Sequence, residues 1–304
     1  MIEQKLKEII GHFPKESGFK KRMRFHQGWW RAFALAEEQG HHPVRKNDFI
    51  GSTIQKGENN GKNFLSEKIR KAVRETIQER KEAGAGIIEE ERLFDNLLSS
   101  QPLCFNFFGE LKTDTEFALQ VLQRFYPNLT SVKRVIFEYA PVEKYTNDNS
   151  AFDVAFEVER DGELGLIGFE VKYTDTFSQR EYDKKEYRDV YNQSSIFNKK
   201  YENYISGRYN QLFRNQLMSE AMLQNRKYDF VFTGLFCHQE DKPAIKIGNE
   251  FREMLNNESL FKVITYQNYI EEIQQLPLNW EKRESAMMLW ARYCATQLSN
   301  NLYL

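Results

Sequence analysis

The spacing of apolar and polar residues predicts a mostly helical first third of the chain. Residues 28–36, 66–83 and 89–98 have the apolar periodicity of helices, and Ser66 is a suitable N-cap for the second of them. Residues 40–63 are rich in Gly, Asn, Lys and His, a composition typical of a loop. We therefore expect residues 1–104 to form a mostly helical N-terminal region.

After residue 104 the pattern changes to alternating strands and helices. A helix capped by Thr113 or Asp114 is predicted to run to about residue 125. Residues 181–226 are expected to be mostly helical with a break near Ser206 and Gly207, and residues 280–298 form a C-terminal helix. The predicted strands are residues 132–139, 152–159, 164–173, 229–237, 244–247 and 261–266.

This order of elements predicts an α/β fold with a mixed central sheet flanked by helices. The first three strands can form an antiparallel meander, whereas the apolar strand at 229–237 follows a helical crossover that permits parallel pairing. We expect a core at residues 105–275, with a C-terminal helix at 276–304 packing on it.

A two-residue turn at Asp161 and Gly162 sets the register of the second and third strands. Asp-Gly is a strong hairpin signal, and a tight turn there places Arg160 opposite Glu163. Counting back along both strands then places Asp153 opposite Glu170.

Strand alternation brings three charged side chains to one face of this hairpin. Glu170 and Lys172 share a face with Gly168, and Asp153 lies on the matching face together with Ala155. Because Ala155 and Gly168 are small, we expect space beside the charged groups. The opposite face is expected to be apolar and to carry Phe152, Val154, Phe156, Val158, Ile167, Phe169 and Val171.

The chemistry of Asp153, Glu170 and Lys172 suits phosphodiester hydrolysis. Two directly opposed carboxylates repel each other, which favours either a raised pKa or a bound cation. Hard oxygen ligands suit Mg²⁺ or Mn²⁺. Lys172 is close enough to orient a water on that metal or to stabilise developing charge. The alternative is an ordinary solvated strand face, since Glu-x-Lys is a common pattern.

Asp153 followed by Glu170-Val171-Lys172, between helix–strand elements on both sides, resembles the PD-(D/E)XK nuclease superfamily over about residues 105–240. Phe152 departs from the pattern, which has proline at that position. Residues 99–109 (SSQPLCFNFFG) also resemble a segment of uncharacterised bacterial proteins assigned as restriction endonucleases of this superfamily. The resemblance implies a restriction-endonuclease-like core with a helical N-terminal extension. It further implies a Mg²⁺- or Mn²⁺-dependent DNA endonuclease in restriction or phage defence, acting on double-stranded DNA, with homodimerisation plausible for double-strand cutting.

The same resemblance implies supporting residues. Glu116, on the predicted helix after Asp114, matches a superfamily glutamate that completes the metal site; a first-turn glutamate interacting with the helix dipole is the alternative. Gln211 matches a helical glutamine beside the active site, and an ordinary polar helix face is its alternative. The expected nucleic-acid contacts are Arg214, Arg208, Lys184 and Lys185, although acidic neighbours make a solvated helix face equally compatible.

Composition narrows the setting further. The net charge of −1 means that nucleic-acid contacts must come from local basic patches, of which residues 20–24 (KKRMR) are the densest. This patch fits either a phosphate contact or an exposed helix start. The three dispersed cysteines form neither a disulfide framework nor a zinc pattern and favour a cytoplasmic setting, and no apolar run spans a membrane. The open functional alternatives are a catalytically silent nucleic-acid-binding module and a protein whose N-terminal third binds a partner.

Overall fold

The computed structural model describes residues 2–11, 16–43, 45–84, 86 and 88–303 of the chain. In the N-terminal region a π-helical segment, Trp30–Leu35, continues the second helix. The helices of this region are α1 Ile2–Ile10, α2 Gly18–Trp29, α3 Gly57–Asn60, α4 Glu67–Ala83 and α5 Glu90–Asp95.

The N-terminal region also contains a small antiparallel sheet that the sequence did not indicate. Strands β1 (Gln39–His41) and β2 (Phe49–Ile54) pair within the stretch that was predicted to be a loop, so that prediction was wrong. Gly51, Ser52 and Thr53 give β2 a polar sequence, yet the strand is buried from Ile50 onward because it packs beneath α2. Because contacts with a helix distant in sequence bury this strand, its own residues do not alternate between apolar and polar.

The main sheet has five strands in the order β3-β4-β5-β6-β7. Its first three strands form the predicted antiparallel meander, and β6 and β7 add in parallel, so the predicted mixed sheet is confirmed. The strands are β3 Ser131–Tyr139, β4 Phe152–Arg160, β5 Glu163–Lys172, β6 Phe230–Cys237 and β7 Phe261–Thr265.

Helices cover both faces of this sheet. On one face α6 packs its phenylalanines, including Phe107 and Phe108, against Phe169 of β5 and Phe236 of β6. On the other face α10 packs Phe213 and its neighbours over the parallel half of the sheet. The remaining helices are α6 Ser100–Thr113, α7 Thr115–Gln123, α8 Lys185–Gln193, α9 Tyr201–Ile205, α10 Gly207–Gln224, α11 Lys242–Glu253, α12 Tyr266–Gln274, α13 Trp280–Tyr293 and α14 Asn300–Tyr303.

Two further expectations need correction. Residues 244–247, predicted as a strand, lie inside α11, whose N-terminus is capped by Asp241 and contains Pro243 in its first turn. The C-terminal helix ends at Tyr293 instead of residue 298, and a short 3₁₀ turn, Thr296–Ser299, follows it. The predicted break near Ser206 and Gly207 is confirmed, because α10 begins at Gly207.

Fully buried polar groups attach the N-terminal region to the core. Arg292 of α13 donates to the backbone oxygen of Asn63 at 2.7 Å and to its side-chain oxygen at 2.6 Å. Gln27 of α2 donates to the backbone oxygen of Arg292 and to the hydroxyl of Tyr173, directly after β5. Because α6 also crosses residue 104, the division of the chain at that point stays a prediction.

Candidate active site

The hairpin of β4 and β5 has the register predicted from its turn. Arg160 pairs with Glu163, and the ladder continues in step to Val154 and Phe169. Asp161 and Gly162 have φ angles of 51° and 86°, the left-handed pair that a tight hairpin turn requires. Asp153 follows one residue beyond the ladder.

Asp153 and Glu170 lie side by side at the end of these strands. One oxygen of Asp153, Oδ2, accepts a hydrogen bond from the backbone N–H of Val171 at 2.6 Å. Glu170 is only 4% exposed and accepts from Asn215 Nδ2 at 3.0 Å and from Gln211 Nε2 at 2.5 Å. Two acidic groups are therefore fixed in place, one through the backbone of β5 and one through α10.

Lys172 completes a closed triangle with Glu170 and Gln211. Its ammonium nitrogen lies 3.0 Å from Glu170 Oε1 and donates to Gln211 Oε1 at 2.8 Å. Because Lys172 is only 7% exposed, it needs both partners to satisfy its charge. Gln211 thus receives a hydrogen bond from the lysine and donates one to the carboxylate, which holds their relative position.

The electrostatics of the site follow from burial and from the proximity of like charges. Burial raises the pKa of the Asp153 carboxyl well above its usual range, and the charges of Glu170 and Glu138 add to this effect. Burial alone would lower the pKa of Lys172, but the charges of Glu170 and Asp153 outweigh it and raise that pKa. The lysine is therefore a stable cation at neutral pH, whereas the buried Asp153 carboxyl favours its protonated form unless a cation is beside it.

Glu138 is a third carboxylate that sequence reasoning missed. The pairs Phe137–Val154 and Tyr139–Phe152 place it opposite Asp153 on the neighbouring strand. Burial and the charge of Glu170 raise its pKa to about 7, although Gln101 donates a hydrogen bond to it at 2.7 Å. The available signal was its position at the end of the predicted strand 132–139.

Both strands change face at these carboxylates. Phe137 and Val154 belong to the core under α6, whereas Tyr139 and Phe152, two residues away along each strand, belong to the core under α10. Glu138 has a φ angle of 49°, which breaks the regular alternation of β3. Phe152 was therefore assigned to the wrong face.

The space that was expected beside Gly168 is filled. A Cβ atom on Gly168 would lie 2.6 Å from the ring of Phe152. Glycine is required here because an aromatic ring lies directly against its backbone. Open space beside Asp153 and Glu170 is found toward the N-terminal region instead.

The other predicted residues lie away from Asp153, Glu170 and Lys172. Glu116 is exposed on α7, a helix that packs beside β3, and it is not among the described residues that line the cleft. Arg214 forms an ion pair with Asp148 at 3.0 Å and Arg208 with Glu250 at 3.5 Å. Only Gln211 joins the central three side chains.

The basic pair at the start of α8 also has partners of its own. Lys184 donates to the backbone oxygen of Asn147, and Lys185 pairs with Asp189 at 2.8 Å. A role in nucleic-acid binding for Lys184, Lys185, Arg208 and Arg214 stays a prediction.

The donors at the site suit a divalent cation. Asp153 uses one carboxylate oxygen in its described hydrogen bond, which leaves the other for a ligand. Burial and the charge of Glu170 raise the pKa of Asp153, and a cation held between the two carboxylates would offset both effects. Among the described residues no three His, Cys, Asp or Glu side chains are grouped closely enough to hold a metal, so Asp153 and Glu170 are the candidate pair.

These groups open into a cleft of about 640 Å³. Asp153, Glu170, Lys172 and Gln211 line it from the sheet and α10. The N-terminal region contributes the other side through Lys20 and Arg24 of α2, Ile50 and Thr53 of β2, and Arg92 of α5. The N-terminal region thus forms part of the site.

A comparison with models of protein families gives a match over most of the chain. A model of the PD-(D/E)XK nuclease superfamily matches residues 14–295, which includes the N-terminal region as well as the sheet. No curated protein and no solved structure matches the chain. Within the part of the chain that the structure describes, none of the helices has the length and apolarity needed to cross a bilayer.

Proposed function

The chain belongs to the PD-(D/E)XK nuclease superfamily, and from this premise we propose that it is a Mg²⁺- or Mn²⁺-dependent DNA endonuclease. The observation that carries the proposal is the juxtaposition of Asp153 and Glu170 with Lys172 at the end of the β4–β5 hairpin. Members of the superfamily are usually nucleases that use divalent metals.

Asp153 and Glu170 would hold the cation. When bound, the cation polarises a phosphoryl oxygen and lowers the pKa of a water molecule. Lys172, which stays protonated at neutral pH, would donate hydrogen bonds to the attacking water or to the phosphate oxygen that gains charge. Gln211 keeps the ammonium group at a fixed position relative to Glu170. No residue of this set needs to form a covalent bond with the substrate.

The substrate and the biological role are a further part of the proposal. We infer double-stranded DNA as the substrate from what is usual in the superfamily, and restriction or phage defence as the role from the resemblance of residues 99–109 to uncharacterised proteins assigned as restriction endonucleases. A homodimer would place two such sites on opposite strands. The buried, free cysteines Cys104, Cys237 and Cys294 are compatible with a cytoplasmic protein.

Cleavage of a supercoiled plasmid with Mg²⁺ or Mn²⁺, against EDTA, tests the proposal. Nicked or linear product that depends on metal supports an endonuclease, because an exonuclease requires an end. Parallel reactions with linear duplex and with RNA separate the substrate classes. Metal-independent cleavage, or none on any substrate, would contradict the proposal.

One observation favours a second candidate, a catalytically silent nucleic-acid-binding module. Both oxygens of Glu170 already receive hydrogen bonds, from Gln211 and Asn215, and Lys172 pairs with it. Calorimetry separates the two candidates. An enzyme binds Mn²⁺ and loses that binding in Asp153→Ala, whereas a silent module shows no Mn²⁺ binding in the wild type.

A further inference from the structure

The cleft has a basic side that belongs to the N-terminal region. We propose that Lys20 and Arg24 of α2, with Arg92 of α5, bind the phosphate backbone of the DNA next to the phosphodiester that is cut. This inference rests on the proposed function, because it assigns the substrate contacts of the same cleft. Three features support it: the helical geometry of α2, the donors that its side chains leave available, and the attachment of α2 to β5.

The side chains of the basic segment 20–24 point to different sides of helix α2. Lys20 and Arg24, four residues apart, share one face of α2, and both line the cleft. Arg22 points to the opposite side, where it donates to the backbone oxygen of Thr296 and to Ser299 Oγ. Met23 is fully buried in the core. Lys20 and Arg24 are therefore the members of this patch that face the cleft.

Arg24 is held in position with donors to spare. Its Nε and Nη2 atoms donate to Glu16 at 2.6 and 2.8 Å, and Nη1 donates to Ser52 Oγ at 2.8 Å. A guanidinium carries five N–H groups, so these bonds leave one on each terminal nitrogen. Arg24 also lines the cleft, and a guanidinium fixed there with N–H groups outside its described hydrogen bonds can donate to phosphate oxygens.

Lys20 and Arg92 extend this surface on either side. The ammonium of Lys20 lies 4.0 Å from Glu16, beyond hydrogen-bond distance, and its side chain is 45% exposed. Arg92 uses one N–H on Ser99 and one on Asp175, which leaves three. Glu16 pairs with Arg24 and Asp175 pairs with Arg92, so the three cations and these two carboxylates together carry a formal net charge of about +1.

The N-terminal side of the cleft is anchored to the strand that carries the catalytic residues. Gln27, on the same helix as Lys20 and Arg24, donates to the hydroxyl of Tyr173 at 2.8 Å. Tyr173 directly follows Lys172, and both Gln27 and Tyr173 are fully buried. A phosphate held by α2 would therefore keep a fixed position relative to Asp153, Glu170 and Lys172.

The test is DNA binding without cleavage. A fluorescently labelled DNA duplex is titrated in EDTA over a series of NaCl concentrations, with wild type, Lys20→Ala and a control. Lys246→Ala is the matched control, because Lys246 also lies four residues from a glutamate, at 3.9 Å, on an exposed helix face outside the cleft. Lys20 has no described hydrogen bond to lose, so its variant is expected to fold.

Removing one phosphate-binding cation lowers the slope of log K against log salt by about 0.9, which corresponds to about eightfold weaker binding near 0.1 M salt. We expect this change in Lys20→Ala and not in Lys246→Ala. Arg24→Lys keeps the charge but not the paired N–H groups, and it should weaken binding with little change in slope.

Equal slopes for wild type and Lys20→Ala would overturn the inference. So would a slope change confined to the double variant Lys184→Ala/Lys185→Ala, because the DNA would then contact the start of α8 and not α2. Absence of DNA binding by the wild type would also overturn it. Plasmid cleavage by the wild type with Mg²⁺, measured separately, shows whether the proposed function stands when this inference fails.

Discussion

Replacing Gln211 with alanine should slow cleavage while leaving the fold intact. Gln211 accepts a hydrogen bond from Lys172 and donates one to Glu170, and each partner carries a charge. Alanine removes both bonds but keeps the ion pair between Lys172 and Glu170 at 3.0 Å. Lys172 then keeps its charge but loses the hydrogen bond that orients its ammonium group.

The magnitude follows from the two bonds. Hydrogen bonds to charged groups contribute about 1.5–3 kcal/mol each, and Gln211 is only partly buried, so water recovers part of the loss. We expect a loss of about 1–2 kcal/mol of unfolding free energy. If about 1.4–2.8 kcal/mol of transition-state stabilisation depends on the position of Lys172, kcat falls about 10- to 100-fold. KM should change little, because Gln211 is not assigned a contact with the DNA backbone.

The assay is single-turnover cleavage with Mg²⁺, together with denaturant unfolding, for Gln211→Ala and Gln216→Ala. Gln216 lies on the same helix, is buried and accepts a hydrogen bond from Thr233 Oγ1 at 2.6 Å, away from the cleft. Its variant should lose similar or greater stability but retain its cleavage rate. Equal rates in the two variants, or a wild-type rate in Gln211→Ala, would refute the positioning role.

Three other predictions concern stability. Burial lowers the pKa of His26 to about 4 from an unfolded value of 6.5, so the unfolded chain takes up the proton first as the pH falls. The free energy of unfolding is therefore at its full value above pH 6.5 and falls by up to about 3 kcal/mol as the pH drops to 4. Urea unfolding between pH 7 and 4 should show a smaller loss of stability with falling pH in His26→Gln than in wild type. The same pH dependence in both proteins would contradict the prediction. Gly168→Ala should lower the free energy of unfolding by about 1–3 kcal/mol, because its Cβ would meet the ring of Phe152 at 2.6 Å. Adding Phe152→Leu should restore part of the lost stability in thermal unfolding. Unchanged stability in Gly168→Ala would contradict the contact. Arg214→Met should cost about 1–3 kcal/mol in urea unfolding, because Asp148 loses its counter-charge while Tyr187 and Ser150 still donate hydrogen bonds to it. A lower salt slope of DNA binding at unchanged stability would instead favour the nucleic-acid role predicted from the sequence.

The centre of the site was predictable because local rules determine it. The Asp161–Gly162 turn sets the register of β4 and β5, and that register brings Asp153, Glu170 and Lys172 together at the strand ends. The apolar strand at residues 230–237 likewise indicated a strand covered on both faces.

What could not be predicted depends on contacts between distant residues. Glu138 itself has a left-handed backbone conformation that breaks the alternation of β3, and its position at the end of a predicted strand does not reveal this change of face. The buried strand β2 has a polar sequence because α2 supplies its apolar surroundings. Lys20 and Arg24 could be assigned to the cleft only once α2 was placed beside β5 by Gln27 and Tyr173.

The central claim is that Lys172, with Asp153 and Glu170, carries out metal-dependent cleavage of DNA. The most direct test is the rate of plasmid cleavage with Mg²⁺ by Lys172→Ala relative to wild type, after circular dichroism has shown that both proteins are folded. We predict a rate at least about 100-fold lower, the usual cost of removing a group that stabilises charge in the transition state. Equal rates for the two proteins would contradict the claim.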